Sequence, residues 1–286
     1  MIPATFEYCA PHSISEAVNF LAAHKEDVKI LAGGQSLLPL MKMRLAKPAY
    51  LVDIGRIPGL DTIVEDGGNN IVIGAMTTHA QIEFSGLLKR RCPLLPQTAA
   101  TIADVQVRNR GTIGGSLAHA DPAGDVPAAV LALEAEIKAV GPNGERWIKV
   151  EDFFLGLLMS VLEPDEIVTA IKVRATDGEK TAYLKAAPRS SGFAVVGVAV
   201  RMTVDSTGTC RAIALALTGV TDKAYRADRV EKMLVGQKLD VKLIEAAAVE
   251  STRNVDVIED INGSSEYRTH LTQVYVARAI QAALQS

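Results

Sequence analysis

The stretch LAGGQSLLPL, residues 31–40, follows the apolar run VKI and sets two adjacent glycines before a polar pair, Gln35-Ser36. VKILAGG reads as a short buried strand ending in glycine. Adjacent glycines let the main chain adopt positive φ and aim successive N–H groups into one concavity that no side chain blocks. A turn accounts for one glycine, and the second raises the question of what lies against bare backbone. A second pair stands in RNRGTIGGSLAHADPAGD, residues 108–125. Ser36, Thr112 and Ser116 offer hydroxyl donors beside these loops. Two such loops from separate parts of one domain could grip the two phosphates of a dinucleotide; either loop alone reads first as a tight strand exit with no ligand. Neither matches G-x-G-x-x-G or G-x-x-x-x-G-K-S/T, so neither a Rossmann fingerprint nor a P-loop is present.

Working outward, residues 14–24 carry Ile14, Val18 and Leu21 at helical spacing, with Ser13 or Ser15 as cap. YLVDIG and NIVIGAMTT read as short strands, with the turn-rich EDGGNN between them. Residues 78–91 read as one helix, PLLPQTAATIADVQVRNR continues in helix, and VPAAVLALEA is helical after the second glycine loop. EIKAVGPNGERWIKV is a hairpin turning at Pro142-Asn143-Gly144. The composition turns polar at RATDGEKT, residues 174–181, which places a domain boundary there. Beyond it, FAVVGVAVRMTVDSTGTCRAIALALTGV alternates as antiparallel strands do, with a turn at Asp205–Gly208. DRVEKMLVG, KLIEAAAVEST and the tail are helical, the tail with a stripe at Leu271, Val274, Ala277, Ile280 and Leu284.

The 286 residues suffice for two domains, and 48% hydrophobic with 22% charged residues is the composition of a globular protein. A net charge of −3 argues against nucleic-acid binding but leaves room for a local anion site built from backbone amides. Cys9, Cys92 and Cys210 are scattered and match no metal or C-x-x-C spacing, so reduced structural thiols are expected. No His, Asp or Glu cluster has metal spacing, and no metal site is expected. The N-terminus lacks a signal-peptide pattern and no apolar run reaches membrane-span length, so a cytoplasmic protein is expected, free or peripheral to the inner face of the membrane.

AGGQSLLPLMKMRLAKPAYLVDI (32–54), IGAMTTH (73–79) and the second glycine segment (108–128) resemble the FAD-binding medium subunit of the molybdenum hydroxylases. That family includes the flavoprotein subunits of carbon monoxide dehydrogenase and quinoline oxidoreductase and the flavin domain of xanthine dehydrogenase. AYLKAAPRSSGFAVVGVAV (182–200) and GSSEYRTHL (263–271) resemble the C-terminal domain of the same subunits. The resemblance implies an α+β fold of the vanillyl-alcohol-oxidase/PCMH type. Its FAD-binding domain covers 1–175, with subdomains at about 1–56 and 57–175, and a C-terminal domain with a small antiparallel sheet and helices covers 178–286.

By the same resemblance, Ala32, Gly33, Gly34, Gln35, Ser36 and Leu37 wrap the FAD diphosphate together with Gly111, Thr112, Ile113, Gly114, Gly115 and Ser116. It also implies cofactor contacts at Lys29, Ile102, Ala103, Asp125 and Leu162, with Lys185 and Phe193 in the segment that approaches the isoalloxazine ring. Some relatives have Tyr at the Phe193 position, so stacking is kept and a hydroxyl hydrogen bond is lost. RSSGFA lacks the Asp often found before that aromatic, and the cysteine-bearing insertion of some benzoyl-CoA-reducing relatives is missing, so no cluster is expected here. The implied activity is oxidoreductase electron transfer: electrons arrive from a small [2Fe-2S] subunit, pass through FAD here, and leave to an external acceptor. A large molybdopterin subunit does the hydroxylation, in a dimer of heterotrimers, and this chain has no catalytic acid or base.

Other residues carry two readings. His119 and Asp121 form an acid/base pair or a structural loop contact, and His79 neighbours the flavin or merely starts a helix after Thr77 or Thr78. Arg108 and Arg110 contact the cofactor, cap carbonyls or sit in solvent. FFLGLLM (153–159) is core, or its end faces the flavin. Two rival functions are a free-standing flavin oxidase or reductase, for which no His or Cys tether to the ring is evident, and a nucleotide-binding assembly subunit without redox chemistry.

Overall fold

The computed structural model describes residues 2–188 and 192–286. The expectations attached to Arg189, Ser190 and Ser191 therefore lie outside the described residues. Among the described residues three larger sheets, each with its own helices, follow one another along the chain, and a two-stranded hairpin accompanies the second.

The first is parallel. It contains β1 (Glu7–Cys9), α1 (Ile14–His24), β2 (Val28–Leu31), α2 (Leu37–Lys42) and β3 (Tyr50–Asp53), in the strand order β1-β3-β2. Parallel neighbours need crossovers, and α1 and α2 supply them. Ser13 caps α1 by accepting from the Glu16 amide at 3.1 Å, and the helix buries Ala17, Val18 and Leu21 with Val52 and Ile54.

The second unit holds β4 (Ile63–Asp66), β5 (Asn70–Gly74), α3 (His79–Phe84), α4 (Gly86–Arg91), α5 (Leu94–Ala99) and α6 (Val105–Arg108). It continues with α7 (Ile113–His119), α8 (Asp125–Ala132), β6 (Glu136–Gly141), β7 (Gly144–Lys149), β8 (Phe154–Gly156), β9 (Met159–Ser160) and β10 (Ile167–Arg174). Its sheet is antiparallel in the order β4-β5-β10-β6-β7. Every residue of α8 is buried, and after Asp125 the helix is apolar on all sides, as a buried helix is. It packs against α5, α7 and the third sheet.

That third sheet, β11 (Lys180–Ala186), β12 (Val196–Val204), β13 (Cys210–Thr218) and β14 (Tyr225–Arg226), is antiparallel in chain order. β12 and β13 turn at Asp205–Gly208, where the Gly208 amide donates to the Asp205 carbonyl at 3.0 Å. α9 (Asp228–Leu234), α10 (Val241–Val249) and α11 (Ser265–Gln285) cover it.

Several local expectations need correction. Residues 78–91 form two helices because Ser85 is extended and caps α4, accepting from the Leu88 amide at 3.2 Å. The helix expected through 93–110 breaks between α5 and α6. Ala103 takes φ +38° there, and Asp104 starts a new helix by accepting from the Gln106 and Val107 amides at 2.8 and 2.9 Å. Strand β4 went unread. In α11 the face turned inward carries Arg268, Thr272, Val276, Ala279, Ile280 and Ala283, so only Ile280 of the expected stripe is fully buried. Small residues allow close approach to the sheet there, and buried Arg268 donates to the Val195 and Gly219 carbonyls at 2.8 and 2.6 Å while pairing with Asp260. Of FFLGLLM, Phe153 and Phe154 are buried, whereas Leu155, Leu157, Leu158 and Met159 are exposed on the β8–β9 hairpin.

Candidate functional site

A cleft of about 620 Å³ runs between the first unit and the second, with Gly192 and Phe193 from the segment before β12 on its wall. Leaving β2, the chain runs through residues 32–36 into the start of α2 at Leu37, and Gly33, Gln35, Ser36 and Leu37 line the cleft. The amide N–H groups of these residues find no acceptor among the described residues. A helix start always leaves such orphans, and here the two glycines lengthen the row. This is a donor array for an anion that needs no Lys or Arg.

The second glycine segment is built differently from the loop expected. Gly114 and Gly115 lie within α7, whose N-cap Thr112 accepts from the Gly115 amide at 3.2 Å. The Ile113 and Gly114 amides donate to the Thr77 and Ala75 carbonyls at 3.0 and 2.9 Å, and Ser116 to the Thr112 carbonyl at 3.0 Å. Those donors are spent on the fold. Positive φ also explains just one of the four glycines, Gly34 at +72°.

The others permit close approach. A Cβ on Gly33 would overlap the Arg110 carbonyl and stand 2.8 Å from the Gly111 Cα. On Gly114 a Cβ would stand 2.8 Å from the Ala75 carbonyl oxygen. The first segment is thus seated directly on the second. What lies against the bare backbone of Gly33 is more backbone.

Of the residues implied by resemblance, Lys29, Gly33, Gln35, Ser36, Leu37, Ile102, Ala103, Gly111, Thr112, Gly115, Ser116, Asp125, Leu162 and Phe193 line this cleft. Ala32 lines a neighbouring groove; Gly34, Ile113, Gly114 and Lys185 line neither. Ile113 and Gly114 are buried in the packing of α7. Lys185 has its three ammonium protons placed on the Thr101 carbonyl at 2.7 Å, the Gly192 carbonyl at 2.8 Å and Asp125 Oδ2 at 2.9 Å. The Tyr183 hydroxyl donates to Asp125 Oδ1 at 2.6 Å. Burial holds the Asp125 carboxyl above its ordinary range despite these partners, and burial first, then Asp125, pushes the Tyr183 phenol well up.

The residues with double readings resolve mostly to structure. Arg108 pairs with Glu83 at 2.8 Å and donates to the Ile102 carbonyl at 3.0 Å, fixing the α5–α6 connection. Asp121 accepts from the Ala123 amide at 2.9 Å in a turn, and no hydrogen bond joins it to His119, although both line the cleft. Thr78 caps α3 in a box with Gln81, leaving His79 as the first helical residue, buried and on the cleft wall. Sequence reasoning missed Glu163, Pro164 and Glu166 on the wall after β9 and held Leu158 open. Leu162, implied by resemblance, adjoins them, but the apolar run 153–159 before it reads as core. The neighbouring groove, about 710 Å³, shares Gly33 and Thr112 with the cleft and carries Arg56, Arg110, Asp53 and Asp61. Among the described residues no group of three or more His, Cys, Asp or Glu could hold a metal, and the three cysteines are free.

The family described as the FAD binding domain in molybdopterin dehydrogenase matches residues 4–174, and the carbon monoxide dehydrogenase flavoprotein C-terminal domain matches residues 181–283. The chain is similar to the carbon monoxide dehydrogenase medium chain of Hydrogenophaga pseudoflava, at 43% identity over 99% of this chain and 98% of that one. It is 36% identical to the 6-hydroxypseudooxynicotine dehydrogenase complex subunit alpha of Paenarthrobacter nicotinovorans, covering 99% of this chain and 96% of that one. It also superposes on the solved Hydrogenophaga pseudoflava carbon monoxide dehydrogenase that lacks the Mo-pyranopterin moiety of the molybdenum cofactor. That match has a TM-score of 0.96 and 44% identity over 100% of this chain and 99% of that one.

The chain belongs to the FAD-binding medium subunits of the molybdopterin dehydrogenases, an oxidoreductase family. Its own donor set fits that cofactor: residues 32–37 carry amides without internal acceptors, and the cleft lined by Gly33, Gln35 and Ser36 of this run also has apolar wall at Leu37, Ile102, Leu162 and Phe193.

Proposed function

We propose that this medium subunit holds FAD in the cleft between its first two units and relays electrons from a [2Fe-2S] subunit to an external acceptor. The molybdopterin chemistry then belongs to a large partner subunit, in a dimer of heterotrimers placed in the cytoplasm. No helix among the described residues is long and apolar enough to cross a membrane. The observation that carries the reading is the run of unpartnered amides at residues 32–37, of which Gly33, Gln35, Ser36 and Leu37 line a cleft that also holds Phe193.

Bound FAD supplies electron transfer that runs singly or in pairs, and that chemistry is the cofactor's own. The chain's part is to bind and to orient. Amides of Gly33, Gly34, Gln35 and Ser36 take the diphosphate, with the Ser36 hydroxyl, which caps no helix amide, beside them. Ile102, Ala103 and Phe193 give the ring system apolar surface, and Lys29 and Leu162 add contacts along the same wall. Lys185 acts indirectly, because its three bonds tie the Thr101 and Gly192 carbonyls to Asp125 and so fix the segments that carry Ala103 and Phe193. No side chain here need move a proton on an organic substrate.

The substrate is not chosen here. Two relatives of similar coverage and identity are named for carbon monoxide and for 6-hydroxypseudooxynicotine, so one medium-chain design accompanies unlike substrates. Purification of the native assembly with flavin, iron and molybdenum analysis tests the proposal. FAD, iron and molybdenum recovered with two companion chains are expected. A metal-free single chain that oxidises an organic substrate by itself contradicts it.

A further inference from the structure

His79 opens α3 directly beneath the second glycine segment, and its amide donates to the Gly111 carbonyl at 2.9 Å. The residue is only 5% exposed, yet it forms part of the cleft wall. Neither ring nitrogen has a hydrogen-bond partner among the described residues. Nδ1 is wholly buried in that condition, while Nε2 is not among the buried orphan atoms and keeps an accessible edge. That edge faces Gly111: a Cβ there would stand 3.1 Å from Nε2 and 2.9 Å from Cδ2. The missing side chain of Gly111 therefore keeps Nε2 uncovered.

Two physical constraints fix the state of the ring. A buried N–H without an acceptor costs more than a buried lone pair without a donor, so the proton belongs on Nε2 and the lone pair on Nδ1. Burial, reinforced by the positive charge of Arg108, lowers the imidazole pKa to about 4, so the ring is neutral at neutral pH. The result is a rigid, uncharged donor built into the wall of a cleft that has a rim of unpartnered amides.

We propose that His79 is a cofactor-binding residue whose Nε2–H donates a hydrogen bond to an oxygen of the dinucleotide in the cleft. The inference rests on the FAD reading above and adds a neutral imidazole donor to a site otherwise described by backbone amides and the Ser36 hydroxyl. Gln places an amide nitrogen close to the Nε2 position, whereas Leu offers comparable apolar bulk and no donor. The two substitutions therefore separate hydrogen bonding from packing.

The test uses the native assembly stripped of flavin and titrated with FAD by fluorescence quenching. His79→Leu is expected to weaken FAD binding by about 3–10-fold, the worth of one net hydrogen bond, with the melting of the flavin-free assembly no lower than wild type. His79→Gln is expected to recover most of the loss. A crystal structure of the flavin-loaded wild type gives a second readout that needs no variant to fold. An FAD oxygen within ~3.2 Å of Nε2 is expected. Wild-type affinity in His79→Leu, or an Nε2 in that crystal with no FAD atom in reach, overturns the inference and leaves the FAD reading standing. A wild-type assembly that takes up no FAD overturns both.

Discussion

Lys185 Nζ lies 2.9 Å from Asp125 Oδ2, and the two side chains, each only 6% exposed, join β11 of the third sheet to the start of α8. A pair this buried is costly to form, and costlier to halve, because the survivor is left charged in a poor solvent. Lys185→Met is expected to destabilise the protein by about 3–5 kcal/mol. Lys185→Met with Asp125→Asn should recover part of that loss. Chemical unfolding of the four members of the cycle checks it. A Lys185→Met protein as stable as wild type contradicts the assignment of this pair as a tie between units.

The glycines at residues 33 and 34 are expected to differ when replaced. Gly34→Ala meets a positive φ and the flexible Leu38 side chain, a loss of roughly 1–2 kcal/mol. Gly33→Ala drives a methyl group into the main chain of Arg110 and Gly111, which cannot turn aside as a side chain can. Gly33→Ala should therefore cost more stability than Gly34→Ala and should also weaken flavin retention, because it pushes the amide row away from its seat. Thermal unfolding and flavin content of the two variants decide the order, and equal effects contradict it.

Much of this was legible in the sequence. The strand ending in glycine at residues 28–34, the β6–β7 hairpin and the β12–β13 pair follow from apolar patterning and turn residues, and the structure has them; the short helix α2 after the glycines does not show in the pattern. What the pattern does not carry is which backbone groups are already spent. Gly33-Gly34 and Gly114-Gly115 look alike as strings, yet one pair belongs to a row of open amides and the other sits in a capped helix. The bonds that make the difference run to Ala75 and Thr77, some 40 residues earlier in the chain. Lys185 shows the same limit: its three acceptors at Thr101, Asp125 and Gly192 are brought together by tertiary packing. The inward face of α11 was misread because Arg268 and Thr272 look polar in sequence and are buried only through long-range partners.

His79 also predicts a pH dependence. Its folded pKa, about 4, lies below the ordinary 6.5, so the unfolded chain binds a proton that the folded chain refuses across that interval. Stability from this residue is complete above pH ~6.5 and falls as the pH drops toward ~4, by on the order of 3 kcal/mol in all. His79→Leu should flatten that part of the stability profile. Unfolding free energies measured for both proteins from pH ~7 to ~4 check it, and parallel profiles contradict it.

Phe193 is half exposed at the cleft, 51% of its surface being accessible. Phe193→Ala is expected to alter stability by only about 0.5 kcal/mol, as exposed sites do, while weakening flavin binding and changing the flavin absorption envelope. Unfolding together with a visible spectrum of the loaded assembly separates the two effects. An unchanged spectrum and affinity contradict a flavin contact at this side chain.

Hydrogen–deuterium exchange at residues 32–37 probes the proposed diphosphate seat most directly, because these amides have no internal acceptor while those of Ile113, Gly114 and Gly115 do. Without flavin, the peptide spanning 32–37 should exchange fast and the peptide spanning 113–115 slowly. Adding FAD should slow the first by at least tenfold, on the order of one or more new hydrogen bonds, and leave the second nearly unchanged. Fast exchange at 32–37 in the flavin-loaded assembly would show that the cofactor's phosphates rest elsewhere.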